Sequence, residues 1–286
     1  MFSYIVENFI KFGKMKKFIF TVADFLRILY QANYLSYKKY IHLKRENVAI
    51  LRILGNGKSL QSIDLDVRSN TDYMVVNRHV IDDSYCKIQP SYYVLADPYF
   101  FIAKEGLSIL QKINDYTSWN MTLFVPHGIN KKIILSIFSN KKIQIIYYNN
   151  SQFRGYRKIK YFLYDKALAM PLVQNVLVGA IMIGILMKYE TIELFGVEHS
   201  WTRFLTVGDD NLTYLEDAHF YDKQVIEKKT VYSLGNKPFS FGFLLQCYSK
   251  MFLSYEAIRD YIKLKKNDTK IINKTPGSFI DAFDRF

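Results

Sequence analysis

The chain has 286 residues, half of them apolar and 16% aromatic, which is enough for one large core and too apolar for a disordered segment. A formal net charge of +13 points to an anionic partner: a membrane surface, a nucleic acid or an acidic small molecule. No lysine-arginine tail, zinc-finger spacing or RNA-binding aromatic string accompanies that charge, so a nucleic-acid partner is not expected.

Residues 1–46 read as a basic, aromatic helical segment. Lys11, Lys14, Lys16 and Lys17 alternate with Phe9, Phe12, Phe18 and Phe20. Such a segment is either an amphipathic element lying on an anionic membrane or an ordinary helix with a solvated face. The lysines interrupt any secretory signal pattern, and no small-residue cleavage site follows them. Cys86 and Cys247 have no Cys or His at ligand spacing. A disulfide scaffold or zinc site is therefore not expected, and a reducing cytoplasm is the natural setting.

Residues 47–206 read as one nucleotide-binding domain. The run Val48–Leu54 predicts a buried first strand, Gly55-Asn56-Gly57-Lys58-Ser59 a tight loop, and Leu60, Ile63 and Leu65 a following helix. Further strands are predicted at Tyr73–Val76, Tyr92–Leu95, Met121–Val125, Ile143–Tyr148 and Ile192–Phe195. Helices fit Ile102–Ile113 and Lys131–Phe138. The stretch "PLVQNVLVGAIMIGILMKY" is the most apolar in the chain, but its run from Val176 to Met187 is too short to span a bilayer and reads as a buried helix. Strands alternating with helices imply an α/β, Rossmann-like, mainly parallel sheet with helices on both faces.

From residue 207 the pattern turns polar and then helical. Residues 207–286 read as a lid and C-terminal helical region on the same domain, with one or two helices between Pro238 and Lys265. The closing string "INKTPGSFIDAF" either closes a cleft or uses Ser278 to cap a last helix.

Parallel sheets bind ligands beyond the carboxyl ends of their strands. That rule selects Asn56, Asn77, Arg78, Asp97, His127, Glu198 and His199, several of them directly following an apolar run. The first loop is neither a Walker loop nor Gly-x-Gly-x-x-Gly, because Leu60 takes the third glycine position. Asp64–Asp66 and Asp209-Asp210 do not follow a strand in the manner of a metal-binding Asp-x-Asp pair, so no metal is expected. Histidines supply the acid–base candidates, with an ordinary pKa suited to work near neutral pH. His199 lies past the sixth strand, and His219 lies in a polar stretch that can swing over a ligand.

Taken in order, "ILGNGKSL", "VVNRHV", "YVLADPYFF", "VQNVLVGAIMIGILMKYETIELFGVEHSW" and "AHFYDK" resemble bacterial sialyltransferases of glycosyltransferase family 42 and the related motility-associated nonulosonic-acid transferase domains. The resemblance covers Val48 to Tyr221 and implies a Rossmann-like domain with a lid. It also implies a CMP-activated 2-keto sugar as donor, no metal and no other cofactor. On that pattern Gly55, Asn56 and Gly57 would approach the nucleotide phosphate and ribose, with Asn77 and Arg78 at the next strand end. Gln174 and Asn175 stand where the family has a Thr-Ser helix start, and Phe195-Gly196-Val197-Glu198 stands for its Ser-Gly-Ile-Asp. His219 would be the base, with His199 as its competitor. The implied acceptor is a glycan or lipid-linked glycan of a bacterial surface polysaccharide, reached at the inner face of the plasma membrane. Three other readings stay open: a transferase using a UDP- or GDP-sugar, a non-catalytic basic module docking on membrane or RNA, and a pterin pyrophosphokinase-like enzyme that would use ATP and Mg²⁺.

Overall fold

A computed structural model describes residues 2–32, 40, 42–63, 70–215, 229–230, 237–265 and 268–285, with side chains of the first helix described from residue 13 onward. Helix α1 (Phe2–Gln31) precedes six parallel strands: β1 (Ile50–Leu54), β2 (Thr71–Val76), β3 (Tyr92–Val94), β4 (Met121–Pro126), β5 (Ile143–Tyr148) and β6 (Thr191–Phe195). Between them lie α2 (Ser84–Ile88), α3 (Tyr99–Ile102), α4 (Lys104–Tyr116), α5 (Lys131–Ile137), α6 (Arg157–Asp165) and α7 (Val176–Leu186). Three short strands, β7 (Leu205–Val207), β8 (Thr213–Leu215) and β9 (Lys229–Thr230), pair antiparallel in a small separate sheet. The long helix α8 (Phe241–Lys265) then returns the chain to the main sheet as β10 (Lys270–Asn273).

The main sheet runs in the order β10-β6-β1-β2-β3-β4-β5, with every pairing parallel. The chain winds outward from β1 to β5, then crosses back through α6 and α7 to lay β6 on the other side of β1. Winding therefore reverses between β1 and β6, the position where open α/β sheets leave a crevice. The protein is α/β and Rossmann-like, as the alternating pattern requires.

Burial on both faces explains why β2 and β4 read as unbroken apolar runs. Leu54, Tyr73, Val75 and Leu123 face the layer containing α4 and α5. Leu51, Ile53, Met74 and Val76 face the layer containing α7. Every residue of α7 is buried, since the sheet covers one side and α8 the other. Among the described residues no helix is long and apolar enough to cross a membrane.

The N-terminal end of the sheet is tied by one buried carboxylate. Asp72 accepts from Arg45 Nε at 2.5 Å, Ser91 Oγ at 2.7 Å and Tyr189 Oη at 2.5 Å. These donors come from the segment before β1, the start of β3 and the start of β6, so a single side chain fixes three entries into the sheet. Helix α1 docks separately on the loop after β5. Arg154 donates from its backbone and its guanidinium to Asp24 at 2.7–3.1 Å, and Tyr156 N–H donates to Thr21 Oγ1 at 3.0 Å.

Of the helix expected after the glycine loop, Lys58–Ser62 form a 3-10 turn, and residues 64–69 lie outside the described residues. Two other sequence expectations are corrected here. Ser278 caps no helix: its hydroxyl donates to Val197 O at 2.7 Å and accepts from Asn273 Nδ2 at 3.0 Å. The tail is strand β10 followed by a loop, and that loop braces the end of β6. The 207 boundary is also crossed, since β10 completes the sheet begun by β1.

Candidate functional site

A cavity of about 360 Å³ opens at the winding reversal. Its walls come from four places: the loop after β1 (Gly55–Lys58), the end of β2 (Val76 and Asn77), the amino end of α7 (Asn175–Leu177), and the segment after β6 from Gly196 to Phe204. Helix α7 runs antiparallel to the strands, so its amino end arrives at their carboxyl ends. Asn175 caps it, accepting from Leu177 N–H at 2.8 Å.

Close packing of the β1 and β6 loops dictates the glycines. Gly55 N–H donates to Phe195 O at 2.8 Å and Gly57 N–H to Gly196 O at 2.9 Å. A Cβ on Gly55 would collide with Gly196 O, and one on Gly57 would fall on the Glu198 carboxylate. These two amides are therefore occupied by carbonyls and do not reach toward a phosphate. What the glycines provide is room for Glu198, whose Oε1 accepts from Ser59 N–H at 2.6 Å.

Three acceptor oxygens on cavity-lining residues are shielded from solvent and bonded to no protein donor: Asn56 Oδ1, Asn77 Oδ1 and Glu198 Oε2. An unmet buried acceptor costs roughly 1–3 kcal/mol. Asn56 is oriented by its own amide, which donates to Val76 O at 3.4 Å and leaves the carbonyl oxygen over. Backbone strain gathers at the same place, with Asn77, Gly196 and His199 at φ of +54°, +63° and +50°. Non-glycine residues held there mark sites where surrounding structure over-determines the chain. Here the over-determination is visible. Val197 N–H donates to Thr275 Oγ1 at 3.1 Å, Phe279 N–H to Glu198 O at 2.8 Å, and the Arg203 guanidinium stacks 4.4 Å from the Phe279 ring.

Lys58 and the α7 amino end bring positive charge to the same cavity. Val76, Val176, Leu177, Val197, Trp201 and Phe204 supply an apolar wall. His199 lines the cavity but is buried, its ring 4.5 Å from Trp201 and stacked 5.6 Å from Tyr255 of α8. Burial drives its pKa down to about 3, so the ring is neutral across the physiological range and a weak base. His79, just past β2, is likewise held down at about 4 by burial, with Asp82 pulling the other way.

The structure brings together Gly55, Asn56, Gly57, Asn77, Asn175, Glu198 and His199. It leaves four other sequence candidates outside the cavity, one of them His127 after β4. Arg78 turns away to donate to Tyr99 Oη at 2.8 Å. Asp97 is exposed and accepts from Tyr99 N–H at 2.8 Å, closing a turn at α3. Gln174 is exposed, one residue ahead of the cap. His219 and Asp64–Asp66 lie outside the described residues. Sequence reasoning missed Trp201 and Phe204. The signal was the tryptophan two residues past the strand-end histidine, in a 3-10 turn (Trp201–Phe204) that folds it back over the crevice.

Compared with models of known families, with curated proteins and with solved structures, the chain matches none.

Proposed function

We propose that the protein is an inverting glycosyltransferase that takes its sugar from a CMP-activated 2-keto donor and needs no metal. The observation that carries this reading is the set of three unpaired acceptor oxygens around one cavity at the winding reversal. Acceptors call for a ligand rich in hydroxyl and amino donors, which a ribose and a cytosine amine both are. Glu198 Oε2 and Asn77 Oδ1 suit such donors, while Lys58 and the α7 amino end suit a phosphate. The apolar wall under Trp201 suits a base or sugar ring. The family resemblance adds the choice of cytidylate.

In the proposed reaction the acceptor hydroxyl oxygen attacks the anomeric carbon as the bond from that carbon to the phosphate oxygen breaks. The electron pair leaves with CMP as a phosphate monoester, and the hydroxyl proton goes to a base. His199 is poorly matched to that task, because efficient proton acceptance wants a pKa near the operating pH. His219 therefore carries the base role in this reading. The acceptor is a glycan or lipid-linked glycan of a surface polysaccharide, met at the cytoplasmic face of the membrane.

Transfer assays with CMP-, UDP- and GDP-sugars, each with and without EDTA, test the reading. Transfer from a CMP-sugar that persists in EDTA is the expected result. Activity confined to UDP- or GDP-sugars with Mn²⁺ overturns the donor and the metal claim together. His219→Ala is expected to lower turnover about 10²–10⁴-fold, and His199→Ala much less.

A further inference from the structure

Helix α1 meets the rest of the protein along a narrow seam of Thr21, Asp24 and Ile28. That seam is largely polar. The apolar residues of the helix point the other way. Met15, Phe18, Val22, Phe25 and Leu29 recur at alternating steps of three and four, and all are exposed. Leu26 and Tyr30 widen the stripe, at 59% and 91% exposure. At about 100° per residue the stripe covers an arc of about 140°, broader than the seam of a two-stranded coiled coil.

The charges beside that arc identify its partner. Lys14 falls on one edge, with Lys16 and Arg27 on the other, and no exposed acid occurs on the described side chains of α1. The one carboxylate among them, Asp24, is buried and held by Arg154. More positive charge stands behind the helix. Burial, and after it the charges of Lys17 and Arg157, lower the pKa of Lys160 of α6, with Asp260 pulling the other way. A second copy of this helix would set the described charges like against like along both edges, with no acid among the described side chains to answer them. A bilayer with anionic headgroups accepts the apolar arc between its chains and the flanking cations at its surface.

We infer that α1 is an in-plane anchor that seats Met15–Tyr30 on an anionic phospholipid surface. This inference stands on α1 alone and holds or fails independently of the CMP-sugar reading. It also differs from the sequence expectation in detail. Phe20, counted there as apolar surface, is half-buried under the Arg154 guanidinium at 4.2 Å.

Vesicle flotation of the full chain tests it. The protein is expected to float with vesicles of equal parts phosphatidylcholine and phosphatidylglycerol, at least tenfold more strongly than with phosphatidylcholine alone, and to be released by salt. Phe18→Glu with Leu26→Glu is expected to cut flotation tenfold or more. Lys14→Glu with Lys16→Glu is expected to abolish the preference for anionic lipid. Both variants change only exposed side chains, and an unchanged urea midpoint checks their folding. Flotation that ignores lipid charge, no flotation at all, or unaltered flotation of either variant overturns the proposal. So does a dimer in sedimentation that the Phe18→Glu, Leu26→Glu variant dissociates, because that assigns the face to a second copy.

Discussion

The two ends of the central sheet treat buried polar groups in opposite ways. At the amino ends of the strands, Asp72 is fully buried and meets three donors from three segments. At the carboxyl ends, Asn56, Asn77 and Glu198 each keep an acceptor oxygen that no protein donor meets. The first arrangement stabilises the fold. The second costs stability unless a ligand, an ion or water satisfies the groups. Charge alone does not mark a functional site; the contrast between satisfied and unsatisfied buried groups does.

Breaking the satisfied end gives the largest expected effect on stability. Asp72→Ala removes the acceptor of Ser91 Oγ and leaves Tyr189 Oη with Tyr92 Oη alone, and is expected to cost about 3 kcal/mol. Urea unfolding measures that loss, while CMP affinity of the folded fraction stays unchanged. Gly57→Ala is the converse at the other end. Its Cβ displaces the Glu198 carboxylate, so CMP affinity is expected to fall about a hundredfold, roughly 2.7 kcal/mol. If Asp72→Ala weakens CMP binding as much as Gly57→Ala does, the division between the two ends is lost.

The site end is also where pH acts. His79 and His199 have folded pKa values near 4 and 3, depressed from 6.5 by burial. Between those values and 6.5 the unfolded chain binds more protons, so stability rises with pH through that window and falls as the solution is acidified. At pH 5 each imidazole contributes about 2 kcal/mol of that loss. Urea midpoints at pH 7 and pH 5 measure it, and His79→Gln is expected to flatten the difference by about half.

Smaller changes sharpen the comparison. Glu198→Gln keeps the carbonyl oxygen that accepts from Ser59 and removes the negative charge, so stability should stay the same or rise slightly. CMP affinity is expected to drop about tenfold, near 1.4 kcal/mol. Asn77→Gly keeps the left-handed backbone at no steric cost and removes the side chain that carries the unpaired oxygen. A few-fold weakening in calorimetric titration, with an unchanged melting midpoint, is the expected result.

Much of this fold is legible in the sequence because buried parallel strands leave unbroken apolar runs closed by turn residues. The ends of β5 agree residue for residue, and β1 to β4 and β6 agree within two. The strand-end rule also collected Asn56, Asn77 and Glu198. It failed at Arg78 because the chain takes a left-handed step at Asn77, and Arg78 then starts a 3-10 turn toward Tyr99. It failed at Asp97 because β3 ends two strands away from the winding reversal. Strand β10 escaped notice because "KIIN" is short and borders polar residues, and its place is set by pairing with β6, a contact remote in sequence. What the loop amides bond is illegible for a similar reason. Gly-Asn-Gly signals a tight backbone, but that Phe195 and Gly196 carbonyls occupy its amides is a tertiary fact.

Calorimetric titration of CMP into the intact protein and into Glu198→Gln tests the central claim most directly. The account predicts a single saturable site in the first and at least tenfold weaker binding in the second, with the two proteins equally stable. Failure of CMP to bind, or equal affinity in both proteins, would contradict it.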